Sequence, residues 1–220
     1  MSNRKNLFRL NIAAATTVAL GLLATGTADA DTFVPLPGGE LVKTLSDGTV
    51  VTVRLTGESA TISPSLGSTP LHRNAWVSGS AQVDVAGAGA DGGLILPGYV
   101  VGCQVNIAGG GVSGGVDGSV SGEGQGAAGA NSGGELSLGP GQATSFYILD
   151  REKADDFGAE SHKPYNIFGG TSGSVTWADQ TIGLSGCGGY AQARAFVSVE
   201  IITESVTSWV TLWGQPFSLG

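Results

Sequence analysis

Residues 108–134 read AGGGVSGGVDGSVSGEGQGAAGANSGG, a run whose composition suggests a disordered linker but whose order has a period of two. Beyond Gly111 the even positions are Val112, Gly114, Val116, Gly118 and Val120. The odd positions carry Ser113, Asp117, Ser119, Ser121, Glu123 and Gln125. Past the centre the parity returns, with Ala128, Ala130, Leu136 and Leu138 even and Asn131, Glu135 and Ser137 odd. Successive side chains of a strand point to opposite faces, so this pattern predicts two amphipathic strands joined by a tip around Gly124-Gln125-Gly126. Each limb, Gly111 to Glu123 and Ala127 to Leu138, exceeds the roughly 9 to 11 residues that a tilted strand needs to cross a bilayer. The dry face is thin, mostly Gly, Ala and Val. No Trp, Tyr or Phe lies between Gly102 and Ser145 to form the aromatic girdle of a membrane barrel.

The same alternation recurs on both sides. Val51, Val53 and Leu55 oppose Thr52, Arg54 and Thr56 after an Asp47-Gly48 turn, and Val83 and Val85 oppose Gln82 and Asp84 in a strand from Trp76 to Val85. Val101, Cys103, Val105 and Ile107 share one parity, and the apolar set moves to the other at Gly109-Gly110-Gly111. A one-residue phase change of this kind is what a bulge or bend produces, and it predicts that the chain leaves one sheet there and enters another. Ala143–Leu149, Gly173–Leu184, Gly189–Ile202 and Ser208–Leu212 read as further strands. Asp31–Gly39 reads as a Pro/Gly lead-in and Ser63–Pro70 as a loop. The charge-dense Asp150–Glu160 reads as a solvated loop or short helix, and the four tryptophans as residues in or beside strands that pack in the β-sandwich body. No long segment has helical periodicity. The fold class expected is all-β, a β-sandwich-like body with the 108–139 hairpin inserted.

Residues 1–30 have the form of an export signal: Arg4, Lys5 and Arg9, then an apolar run from Ile12 to Ala24, then Ala28-Asp29-Ala30 as a cleavage site. The expected organisation is therefore a signal over 1–30 and a single domain over 31–220. Of the 10 Lys+Arg and 18 Asp+Glu in the chain, three basic residues and Asp29 belong to that segment. The remainder has seven basic and 17 acidic residues, a formal charge of −10. Such a chain is a poor partner for nucleic acid or an anionic surface. Its two cysteines, Cys103 and Cys187, are an even count in an exported chain and predict one disulfide.

Catalysis has no foothold in the pattern. There is no G-x-S-x-G elbow and no phosphate-binding G-x-x-x-x-G-K-[ST]. His72 and His162 sit in loop-like sequence and read as solvated surface residues, and Asp155-Asp156 reads as a surface loop. With the histidines far apart and no ligand-spaced Cys/His cluster, neither a metal site nor a cofactor is expected.

Several stretches together resemble the mycobacterial MspA-type porins. They are the Trp76 strand running into VAGAGAD (85–91), PGYVVGC (97–103), GCGGYAQARAF (186–196) and TLWGQPF (211–217), in the family's order around a central insertion. The resemblance implies a homo-oligomer, octameric in the best-known member. Each subunit of that family has a β-sandwich rim and lends one hairpin to a shared barrel across the mycolic-acid outer membrane. The resemblance also implies diffusion of small hydrophilic solutes and lipid contact through the hairpin, with acidic rings favouring cations. The family's adjacent Asp pair is absent from this hairpin. In its place the candidates for lining a lumen are Asp117, Glu123 and Glu135, with Ser113, Ser119, Ser121, Gln125 and Asn131, and Glu123 nearest the tip is the first choice for the narrowest ring. Two alternatives stay open on sequence grounds. One is a secreted envelope β-sandwich with a structural or ligand-binding role; the other is a soluble oligomeric ring without a membrane barrel.

Overall fold

Val51, Val53 and Leu55 are wholly buried on one side of their strand, and Thr52 and Arg54 lie on the other. That pattern repeats through the computed structural model, which describes residues 31–64, 69–87, 89–107, 111–113, 135–137, 141–154, 156–158 and 160–220. The strands, in chain order, are β1 (Thr32–Pro35), β2 (Gly39–Thr44), β3 (Val50–Pro64), β4 (Arg73–Ala86), β5 (Ala90–Asn106), β6 (Gly111–Ser113) and β7 (Glu135–Ser137). There follow β8 (Ala143–Tyr147), β9 (Arg151–Ala154), β10 (Glu160–Lys163), β11 (Asn166–Gly169), β12 (Ser172–Leu184), β13 (Cys187–Thr203) and β14 (Thr207–Ser218).

Among the described residues all pairings are antiparallel, and all but one fall into two large sheets. In the first, β1 and β2 both lie along one side of β3, and β4, β12, β6 and β7 follow in that order. In the second, β8 and β11 both lie along β5, followed by β13 and β14. β9 and β10 form a separate two-stranded ladder. The core draws on both sheets. Val51, Val53, Ala75, Val77 and Val83 come from the first, and Val101, Ala191, Ala193, Val197, Val199 and Ile201 from the second. Trp177 on β12 donates its indole N–H to the Tyr99 hydroxyl on β5 at 3.2 Å, a buried hydrogen bond from one sheet to the other. Phe146 stacks on Tyr99 and Phe217 meets it edge-on, each with ring centroids 6.5 Å apart. Buried polar groups need such partners, so this contact also fixes how the two inner faces align.

The phase change at the glycine triplet is a change of sheet. β5 belongs to the second sheet and β6, four residues beyond Ile107, to the first. Other expectations need correction. Thr32–Pro35, inside the presumed lead-in, is a strand paired with β3. The Asp150–Glu160 stretch is not a loop throughout: Arg151–Ala154 pairs with Glu160–Lys163 as β9 and β10, with a turn at 156–158 between them. Val105 and Ile107 share the parity of Cys103, yet they are 45% and 48% exposed. Val105 has Gly188 opposite it, with no side chain to pack beside it, and Ile107 lies just beyond the end of β5. Trp177 is buried, whereas Trp209 and Trp213 are 52% and 45% exposed, because on β14 the inward parity belongs to Val210 and Leu212. That strand also runs on to Ser218, well past Leu212.

Candidate functional site

The hairpin's root is held at a node between the two sheets. β12 ends at Leu184 and β13 begins at Cys187. On the β12 side, Gly183 and Leu184 pair with Ser113 and Val112 of β6. On the β13 side, Cys187 is bonded to Cys103 of β5, with Cα atoms 5.8 Å apart and 84 residues of chain between them. The Ile107 N–H donates to the Gly186 carbonyl at 2.8 Å, and the Cys187 N–H to the Leu71 carbonyl at 2.9 Å. The last residues before the insertion and the first residues within it are therefore anchored to the two sides of one turn. The disulfide expected from cysteine count is present in this anchor.

Of the candidate lining residues, Ser113 and Glu135 fall in described strands, and the register brings them together. Gly111 is opposite Ser137, Val112 opposite Leu136, and Ser113 opposite Glu135. Odd positions face odd positions across these rungs, so in the described residues the parity of one sequence half meets that of the other. The residue midway between Ser113 and Glu135 in the chain is Gly124, where the sequence places the tip. Asp117, Ser119, Ser121, Glu123, Gln125 and Asn131 lie outside the described residues. Among the described residues β7 is the terminal strand of its sheet, with β6 on one side only.

Two features of the body escaped the sequence reading. The first is Glu58, 2% exposed, with neither carboxylate oxygen hydrogen-bonded. In β3 the inward positions run Val51, Val53, Leu55 and then Glu58 and Ala60, because the register with β4 shifts between Thr56 and Ser59. Gly57 takes the positive φ of 62° that this bulge requires, a conformation costly for any other residue. Space for the carboxylate comes from β14, where a Cβ on Gly214 would sit 2.8 Å from Glu58 Oε2. Burial without a partner disfavours the charged form and pushes the Glu58 carboxyl up to about 7. Burial likewise pushes the Tyr99 phenol up, against the pull of the Trp177 hydrogen bond, and the nearby Glu58 adds to the rise. The signal available in the sequence was the broken alternation at Gly57.

The second is a cleft of about 600 Å³ on the outside of the second sheet, beside the return leg of the insertion, with Gln104, Gln142, Tyr190, Gln192, Arg194 and Trp213 in its wall. The Arg194 guanidinium lies 5.2 Å from the Trp213 ring centroid and donates through Nε to the Gly214 carbonyl at 2.8 Å. Tyr190 is 52% exposed. Trp213 shares this cleft with Tyr190, while the exposed Trp209 lies farther along β14, opposite Glu200; exposed aromatic residues of this kind favour protein contact. His162, read as solvated, is instead held by Asp150, Nδ1 to Oδ1 at 2.8 Å.

Among the described residues no helix is long and apolar enough to cross a membrane, which leaves strands untested by that criterion. Comparison with known protein families matches residues 47–218 to the family described as MspA. Comparison with curated proteins gives no match.

Proposed function

Starting from the fact that the chain belongs to the MspA family, whose members point to a porin-like role, we propose that it is one subunit of an oligomeric outer-membrane pore. The pore passes small hydrophilic solutes and cations by diffusion. The observation that carries this reading is the unfinished edge at β7. A strand pair with one free edge cannot stand in hydrocarbon, since each unpaired N–H and C=O there costs several kcal/mol. Pairing the return limb that begins at β7 with the outgoing limb of a neighbouring copy beyond Ser113, past the rungs that β12 occupies, and repeating this around a symmetry axis closes the sheet into a barrel and removes the edge. One copy supplies only one hairpin, so the pore requires an oligomer.

Within such a barrel the odd positions line water and the Val/Gly/Ala positions meet lipid. Asp117, Glu123 and Glu135 then repeat as carboxylate rings, which draw cations in and turn anions away. The exposed aromatic residues Tyr190, Trp209 and Trp213 favour contact between the bodies of adjacent subunits. No chemistry is asked of the protein beyond holding an aqueous path open.

Planar-bilayer recording on the purified, export-processed oligomer tests the reading. Stepwise conductance with a cation-selective reversal potential under a salt gradient is expected. Neutralising Asp117, Glu123 and Glu135 together should move that potential toward zero without abolishing the steps. Well-folded oligomer that gives no steps would remove the pore. An unchanged reversal potential in the triple variant would remove these rings as the source of selectivity.

A further inference from the structure

The segment between β8 and β11 departs from the edge of β5 as the β9–β10 ladder and returns, and its charges are sorted by face. Arg151 stands opposite Lys163 and Glu152 opposite His162. Strand alternation therefore places Arg151 and Lys163 on one face of the ladder, and Glu152 and His162 on the other with Asp150, two residues from Glu152. Arg151 is engaged elsewhere, donating to Asn166 Oδ1 at 3.1 Å. Glu152 has no ion pair among the described residues. On the anionic face, one ligand-capable atom from each of Asp150, Glu152 and His162 lies within 4.8 Å of the other two.

We propose that Asp150, Glu152 and His162 form a binding site for a divalent transition metal of zinc type at the base of this hairpin. Zinc binds an imidazole nitrogen and carboxylate oxygens at about 2.0 to 2.2 Å, so donors around one ion stand roughly 3 to 3.5 Å apart. The His162 Nδ1 and Asp150 Oδ1 separation of 2.8 Å has to open by only a few tenths of an ångström to meet that spacing. The imidazole selects against calcium and magnesium, which prefer oxygen alone. Two carboxylates balance the ion's charge. Three protein donors leave a position for water, which makes this an open site on the protein surface. A bound ion would join the outgoing end of the excursion at Asp150 to its returning end at His162, closing the detour that β8 and β11 leave in the sheet edge.

The test is a titration of the disulfide-bonded, export-processed chain with zinc chloride, followed by calorimetry, and with cobalt chloride, followed by visible absorption. One ion per chain and a cobalt ligand-field band are expected. Asp150→Asn, Glu152→Gln and His162→Gln should each weaken binding at least about tenfold, and His72→Gln should leave it unchanged. Hydrogen exchange of residues 150–163 should slow on adding zinc to the unaltered chain, a readout that needs no variant to fold. Absence of binding, wild-type affinity in the His162 and Asp150 variants, loss of binding in the His72 variant, or unchanged exchange in this hairpin would each overturn the assignment.

Discussion

Two stretches of this chain carry the same alternation to different ends. In β13, Ala191, Ala193, Ala195, Val197, Val199 and Ile201 are buried and the residues between them face outward. In the insertion, Val112, Val116 and Val120 alternate with Ser113, Asp117 and Ser119 in the same way. The first set meets an opposing sheet supplied by its own chain, including Val51, Val53 and Val77. The second has Gly114 and Gly118 between its valines and, at its visible root, pairs only with β12 and with its own return strand. Binary pattern fixes which face is dry; it does not say what covers that face. Side-chain volume does say something, because each Gly or Ala removes little apolar area from water. A self-sufficient core is rich in larger side chains, and the insertion's dry face is not.

If that contrast is sound, perturbing the node between the regions should have the largest effect on stability. Replacing Cys103 and Cys187 together with Ser frees a loop of 84 residues, worth about 4 to 5 kcal/mol in the chain-entropy account of disulfides. Urea unfolding of the double variant should show a loss of that order. A loss under about 1 kcal/mol would mean that the body is held without its anchor.

Next comes Glu58. Its carboxyl titrates near 4.5 in the unfolded chain and at about 7 when folded. Below about pH 4.5 both states are protonated and the group has no effect on stability. Between there and pH 7 only the unfolded state ionises, so stability falls as pH rises, levelling off above pH 7 with a total loss of up to about 3 kcal/mol. Glu58→Gln should remove this slope, making the variant more stable than the parent at pH 8 relative to pH 4. Parallel pH profiles of unfolding free energy for the two proteins would contradict the buried, unpartnered state.

A smaller effect is expected at the outward aromatics. Trp209→Ser with Trp213→Ser should leave the melting temperature of the isolated subunit almost unmoved while lowering the oligomer fraction in sedimentation velocity, since exposed rings bury area only on assembly. The smallest effect belongs to Arg54, which bridges Glu40 and Asp84 on the exposed face of the first sheet. Exposed ion pairs are screened and cost side-chain freedom to hold, so Arg54→Met should leave thermal unfolding indistinguishable from the parent.

The legibility of the sequence follows the same line. Regular alternation announced β3, β4 and β13, and a one-residue phase change at the glycine triplet announced the passage from one sheet to the other. The parity of the insertion placed its tip at the residue midway between Ser113 and Glu135. What stayed hidden depended on partners distant in the chain or on short pairings. Glu58 went unnoticed in the sequence because a single bulge at Gly57 reverses the parity of the strand. Val105 and Ile107 looked buried because periodicity does not report where the opposing cover ends. The Asp150, Glu152 and His162 cluster arises from a pairing between residues about ten apart, whose charged composition gave no strand signal.

The account's central claim is that the insertion, and not the body, makes the path across the membrane. Ser113 and Glu135 are already opposite one another, so joining them through Asn-Gly in place of residues 114–134 gives a two-residue hairpin turn compatible with the ladder. The account predicts that this shortened protein folds, keeps the Cys103–Cys187 bond and gives no conductance steps in a planar bilayer under conditions where the full-length protein does. Steps of undiminished size from the shortened protein would contradict it.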